Sequence, residues 1–336
     1  MSRMSNLQLV AVFVVVVIAV LAFTVGVSAV FMPPVQVDET ESPAYDTDEL
    51  NVDPIPATGE VTADTDAEEG IVVIDESHLN RFDRSEITAM TEALTAQGVE
   101  IKYHSADDDL SDSLHEADAF ILIDPAIEVD SADIDTIQQF VDQDGRLILL
   151  GEPVRTAMQV DLFGAVVSPI ETHMNPVANR FGIHFGSDYL YNMQHNDGNH
   201  RNVIVTGTNE GSMHLTHVSD VETGVVYTAT YVESAEGTPV VVASDGTQRY
   251  QTDREETEFP VAVIDGNVLA VGDSSFLRGE TFNVGDNNHF IAALVEFAAE
   301  GDRDPESLNG EPDPPDVDDE MTPDPDNESV ESEPTP

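Results

Sequence analysis

The chemistry this chain could carry is concentrated in a few short polar stretches. Gly272-Asp273-Ser274 is followed, one loop later, by Asp286-x-x-His289. These are the parts of a nucleophilic triad: Ser274 would attack, His289 would take its proton and Asp286 would orient the imidazole. A second group, Asp75, Glu76, Ser77, His78 and Asn80, follows an apolar run. Asp124 and Glu152 stand in the same position after two further runs. With Asp273, Ser274, Ser275, Asp286 and Asn287 they are candidates for a polar pocket holding a small ligand or a cation. The same residue types hydrogen-bond turns and helix N-termini, so capping is the competing explanation. His78 stands out, because capping has little use for an imidazole.

Histidines gather in the middle of the chain, at His173, His184, His195, His200, His214 and His217. A zinc site needs three or four converging ligands. No HExxH spacing is present, and His214 and His217, read as part of a strand, face opposite ways. A metal-binding domain built on these histidines is thus a subordinate reading, and no metal or other cofactor is assigned. Asp142-Gln143-Asp144-Gly145 lacks the downstream ligands of a calcium loop. No GxxxxGK[ST] occurs, so the acidic end of FILID does not read as part of a nucleotide-hydrolase site. The absence of cysteine removes disulfides, thiolate ligands and a cysteine nucleophile.

The elements that must position these residues lie between Gly70 and about Glu300. Continuous apolar runs at Ile71–Ile74, Ala119–Ile123 and Leu147–Leu150 mark strands buried on both faces. Val99–Tyr103 is a further strand. Helical spacing follows Asp83, whose Glu86 three residues on completes a capping-box pattern, and again over Asp130–Val141. Such β-α repeats imply an α/β fold, a parallel sheet with helices on both faces. Beyond Pro153 the rhythm changes. A helix is expected over Val154–Phe163 and another over Asn175–Phe181. Strands are expected at Val203–Thr206, Met213–Val218 and Gly224–Val232, with hairpins around Ser244-Asp245-Gly246 and Asp265-Gly266-Asn267. This middle part, about 186–260, reads as a β-rich insertion or lobe. Val268–Val271 then returns to the main sheet, and an amphipathic helix carrying Ile291, Leu294, Val295 and Phe297 closes it.

Outside that domain, residues 1–6 precede an uncharged apolar run, Leu7–Phe31, long enough to span a bilayer. Arg3 is the one charge before it, which places residues 1–6 in the cytoplasm and the bulk of the chain outside, as a single-pass cell-membrane protein. Val27-Ser28-Ala29 offers a signal-cleavage alternative. Residues 32–69 and 301–336, acidic and proline-rich, read as a disordered stalk and tail, with a sequon at Asn327. Net charge is −54, with Lys102 the sole lysine against eleven arginines. Acid spread along the whole chain is the pattern of a protein adapted to molar salt, where repulsion is screened within ~3 Å. A halophilic archaeon is the expected source. No basic patch exists to neutralise phosphates, so nucleic acid is not an expected partner.

Four pieces read together resemble a known family: IVVIDESHLNRFD (71–83), DAFILIDPAIEVDSADIDTIQQFVDQDGRLILLGEP (118–153), NPVANRFGIHF (175–185) and VLAVGDSSFLRGETFNVGDNNHFIAALVEF (268–297). The resemblance is to a prokaryotic domain of unknown function allied to the GldG-type gliding-motility auxiliary component of ABC transporters and to intraflagellar-transport proteins. It implies a flavodoxin-like, Rossmannoid fold similar to class I glutamine amidotransferases, and a membrane-anchored accessory role with a protein partner in the same membrane. Those amidotransferases use a cysteine nucleophile, which this chain lacks. GDS-type hydrolases, the model for the Ser274 triad, place the serine turn after the first strand, whereas here it follows the last. The sequence is therefore expected to be a non-catalytic binding or accessory protein.

Overall fold

A computed structural model of the chain describes residues 55–63, 65, 70–161, 164–170, 172–250, 258–301 and 303. The expected span at 7–31 and most of the expected stalk and tail lie outside them. No helix among the described residues is long and apolar enough to cross a membrane.

Five strands build a parallel half-sheet: β1 (Gly70–Asp75), β2 (Val99–His104), β3 (Ala119–Ile123), β4 (Arg146–Leu150) and β15 (Val268–Val271). Their spatial order is β2-β1-β3-β4-β15, all in parallel register. This is the flavodoxin-like order, whose direction of winding reverses between β1 and β3. Helices α1 (Thr88–Ala96), α2 (Leu110–Leu114) and α3 (Ser131–Asp142) connect the first four strands, α4 (Asn175–Ala178) follows later, and α5 (Asn287–Ala299) ends the domain. Alternation along the strands divides the core. Val72, Ile74, Ile121 and Ile123 pack with Met90 and Leu94 of α1 and with α5. Val73, Phe120, Leu122, Leu147 and Leu149 pack with Leu114 of α2 and with Ile137 and Phe140 of α3. Helices thus cover both faces. Aspartates start them: Asp83 and Glu86 form the expected capping box, while Asp109 and Asp130 accept two backbone N–H groups each at the heads of α2 and α3.

Several expectations are corrected. The segment beginning at Arg155 is no helix but a two-stranded hairpin, β5 (Arg155–Asp161) with β6 (Gly164–Ile170). The middle region contributes two small ladders: β7 (Ile183–Phe185) pairs with β11 (Val232–Ser234), and β8 (Leu190–Tyr191) with β13 (Gln248–Arg249). Its remaining strands, β9 (Asn202–Gly207), β10 (Gly224–Tyr227), β12 (Thr238–Ala243) and β14 (Pro260–Asp265), do not form a separate lobe. They extend the main sheet in antiparallel fashion beyond β15, giving nine strands in the order β10-β9-β12-β14-β15-β4-β3-β1-β2. The Asp265-Gly266-Asn267 hairpin is present, with Gly266 at φ 55. At Ser244-Asp245-Gly246 the chain turns without a hairpin, because β12 is already paired on both sides by β9 and β14. Residues 213–218 are not a strand. Gly211–Met213 and Thr216–Asp220 are 3-10 turns, the second capped by the Glu296 carboxylate, which accepts the Thr216 and His217 N–H groups at 2.7 and 3.1 Å.

Helix α5 is buried nearly all round, not amphipathic. A helix apolar on every side needs cover on every side. Here the sheet, α1, the Thr216–Asp220 turn and the segment 55–63 supply it. That segment was expected to belong to the stalk. Instead Thr58 N–H donates to Asn283 O, Gly285 N–H to Pro56 O and Asn288 Nδ2 to Glu60 O, and Ala63 is buried in the core. Arg303, expected in the tail, is buried and caps α2 through the Leu114 and Ala117 carbonyls.

Candidate functional site

The carboxyl ends of β1, β3, β4 and β15 lie along one edge of the sheet, as the order of strands requires. The candidate residues found there divide into three groups instead of forming one pocket.

The first group closes the reversal point between β1 and β3. Asp75 Oδ2 lies 2.9 Å from His78 Nδ1, and Ser77 Oγ donates to Asp75 Oδ1 at 2.7 Å. Asn80 Nδ2 donates to Ile123 O, and the His78 carbonyl accepts from Ala126 and Ile127. The loop is thereby laid across the crevice and pinned to the far strand, with Leu79 (φ 50) and Asp124 (φ 33) in left-handed conformations. Asp75 is fully buried and His78 nearly so. Burial, which alone would lower the His78 pKa, is outweighed by the hydrogen bond and charge of Asp75 and by Asp133 and Asp130, so it is raised. Burial pushes Asp75 upward, but hydrogen bonds from His78 and Ser77 and the charge of His78 bring it below the usual value. Below the raised His78 pKa the two groups form an internal ion pair. Glu76 points elsewhere and holds Arg84.

The second group joins β4 to β15. Glu152 is buried. Its Oε1 accepts from Ser274 N–H (3.1 Å), Ser274 Oγ (2.6 Å) and Ser275 Oγ (3.3 Å). Its Oε2 lies 2.6 Å from Arg155 Nη2, an ion pair without hydrogen-bond alignment. Arg155 also approaches Asp124 at 3.8 Å, and Asp124 pairs with Arg81 at 2.9 Å. A belt of alternating charge, Arg81-Asp124-Arg155-Glu152, therefore runs along the edge. Asp273, fully buried beside it, accepts the Tyr227 N–H at 2.7 Å and the Ser275 N–H at 2.9 Å. Burial and the charge of Glu152 push the Asp273 pKa up to about 7.

The third group is a clamp. Asp286 Oδ2 accepts the Glu222 and Thr223 N–H groups, and Asn287 both donates to and accepts from the Val225 backbone. The proposed triad is not assembled. Ser274 Oγ is committed to Glu152, Asp286 to this clamp, and no hydrogen bond joins His289 to either side chain among the described residues. The histidine group does not converge either. His184 contacts Asn179, His195 reaches Asp245 O, His200 meets the edge of Tyr191, and among the described residues only His217 of the six stands near two other ligand-type side chains.

What opens to solvent is a cleft of about 870 Å³ beside the second group. Of the candidates only Glu152 and Ser275 line it. The rest of its wall was not anticipated: Arg155, Arg201, Arg278, Tyr189, Tyr227 and Tyr250 give it character. The Tyr189 and Tyr250 rings stack at 4.6 Å between centroids, and the Arg201 guanidinium lies 4.3 Å over Tyr189. Arg155 and Arg278 are paired, the latter with Glu86 at 3.2 Å, whereas Arg201 has no carboxylate partner among the described residues. Thr228, also in the wall, sits at φ 61, an outlier for a β-branched side chain. Backbone strain of this kind collects at functional sites. One signal was available in the sequence: three of eleven arginines meet here, in a chain otherwise overwhelmingly acidic.

The fold has solved counterparts. The mmIFT52 N-terminal domain superimposes with a TM-score of 0.53 at 12% identity, covering 70% of this chain and 99% of that one. A ThuA-like protein from Bacteroides uniformis aligns over 74% of this chain and 98% of its own length (TM-score 0.41, 12% identity). A glutamine amidotransferase from Thermotoga maritima aligns over 71% and 88% (TM-score 0.37, 10% identity). At these identities the first similarity speaks for the fold alone. No curated protein matches the sequence. Residues 83–295, most of the described domain, match the model of one family, and the chain belongs to it: Domain of unknown function (DUF4350).

Proposed function

We propose that this chain is a membrane-anchored accessory protein whose extracellular α/β domain binds a small anionic ligand bearing a flat ring. The binding site is the cleft beside β4 and β15. The observation that carries the reading is Arg201. In a chain of net charge −54 it stands over a stacked tyrosine pair, with no ion pair to a carboxylate among the described residues, in the wall of an open cleft. An anion would complete its pairing and a ring would extend the stack. Anchoring rests on the apolar run Leu7–Phe31, and an extracellular, high-salt setting on the charge pattern. Binding of a protein partner in the same membrane would be the output of the occupied cleft.

The test is a thermal-shift screen of the purified full chain in molar KCl against mononucleotides, uronic acids and aromatic carboxylates. At least one compound should raise the midpoint, and Arg201→Ala and Tyr189→Ala should each abolish the rise while Ser274→Ala leaves it. A response to neutral analogues equal to that of the anions, or full retention in Arg201→Ala, would sink the proposal.

A further inference from the structure

A second site lies outside the cleft. One ring nitrogen each from His217 and His289 and one carboxylate oxygen of Asp220 all lie within 4.8 Å of one another. They come from two elements, the Thr216–Asp220 turn and the first turn of α5. The backbone bearing them is fixed from both ends. Glu296 of α5 accepts the Thr216 and His217 N–H groups below the turn, and Asp286 accepts the Glu222 and Thr223 N–H groups just after it. Val218, fully buried, anchors the turn between His217 and Asp220. The His289 backbone is set by its N–H bond to Asp286 O. Three ligand-type groups are thus brought together on rigid backbone, which is what a metal site requires of its scaffold.

We propose that His217, Asp220 and His289 bind a divalent transition metal, with zinc the matching ion. Two imidazole nitrogens and a carboxylate oxygen are a zinc ligand set; calcium and magnesium take oxygen throughout. Three protein ligands leave one tetrahedral position for water or a group on a partner. The histidines are half-buried and Asp220 is exposed, so an ion can enter from solvent. The carboxylates of Asp286 and Glu296 add negative potential close by. The site ties the turn to α5.

The experiment uses the full chain, stripped with chelator, dialysed and titrated calorimetrically with Zn²⁺. One ion per chain is expected, with a rise in the unfolding midpoint. Co²⁺ in its place should give visible d–d absorption of a nitrogen- and oxygen-ligated ion. His217→Ala, His289→Ala and Asp220→Asn should each weaken binding by more than about tenfold, since even outer-shell changes commonly cost that much. His195→Ala should not. Should an alanine variant misfold by circular dichroism, Asp220→Asn and the cobalt spectrum decide. Substoichiometric zinc in the wild type, equal affinity in Asp220→Asn, or a loss that follows His195→Ala overturns the proposal.

Discussion

Asp273 offers the sharpest test of the edge chemistry. Its carboxyl is fully buried and sits beside Glu152, which holds three donors and Arg155. Burial and that neighbouring charge raise Asp273 to about 7 from an ordinary 3.8. The folded chain therefore keeps a proton here that the unfolded chain releases above pH 4. The Asp273 contribution to stability must fall as pH rises from about 4 through 7, because at this group the folded state binds more protons in that window. At about 1.4 kcal/mol per pH unit, the upper bound is roughly 4 kcal/mol. Asp273→Asn removes the titration and keeps the shape. Both carboxylate oxygens accept a backbone N–H, from Tyr227 and Ser275, and an amide can satisfy only one. The variant should therefore lose about 1–3 kcal/mol at pH 5. At pH 8.5 that loss is offset, and the variant should equal or exceed the wild type. Urea unfolding followed by circular dichroism in molar KCl, at pH 5, 6, 7 and 8.5, measures the difference directly, and every other titrating group cancels between the two proteins. A destabilisation that stays constant across the series, or grows with pH, refutes the assignment of the proton to Asp273.

Three other changes have clear signs. A Cβ at Gly272 would lie 2.1 Å from the Thr230 carbonyl oxygen, a backbone clash, so Gly272→Ala should lower the melting midpoint by several degrees and loosen the Tyr227–Thr230 wall, read as lost ligand-induced shift. His78→Gln breaks the Asp75 pair. The His78 contribution is fully present below about pH 6.5 and is lost as pH rises through its raised folded value, while that of Asp75 is lost as pH falls below about 3.8. The variant's cost, about 1–3 kcal/mol in urea, should therefore be larger at pH 6 than at pH 9. Asn287→Ala leaves the buried Val225 N–H and C=O without their side-chain partner and should cost about 1–3 kcal/mol, visible as faster amide exchange at Val225.

The parallel half of the sheet was legible because its strands are buried on both faces and announce themselves as unbroken apolar runs. The residues after those runs were rightly placed on one edge. Whether edge residues face a cleft or each other is a separate question, fixed by pairing over long distances. Asn80 reaches Ile123, Glu152 reaches Ser274, and Glu296 caps a turn 80 residues earlier in the chain. That last contact explains why Met213–Val218 reads as a strand and folds as 3-10 turns: its conformation is set by a carboxylate on α5. The antiparallel extension shows the same limit. Its strands were mostly located, but alternation names a strand without naming its neighbour, and the 186–260 strands joined the main sheet. The helix expected from Val154 failed because a short hairpin and a helix can share one apolar pattern.

In so acidic a chain, arginine placement carries more information than acid placement. A carboxylate at any surface position is explained by solubility. A guanidinium is surrounded by potential partners and should find one, and most do so for structural ends. Arg84 pairs with Glu76 over Tyr103, Arg180 with Asp135, and Arg81 and Arg155 with the edge belt. Arg146 and Arg303 donate to helix-end carbonyls beneath aromatic rings. Removing the half-buried Arg146 or the buried Arg303 would leave helix-end carbonyls without a donor and cost stability, whereas the exposed Arg84 and Arg180 pairs are worth little. Arg201 has rings and a tyrosine hydroxyl around it and forms no ion pair with a carboxylate among the described residues. That arrangement supports the proposed site for an incoming negative charge: a cation held in place by stacking. Arg201→Ala should therefore leave the unfolding midpoint within about 1 kcal/mol of wild type while removing ligand response, the separation that distinguishes a binding residue from a structural one.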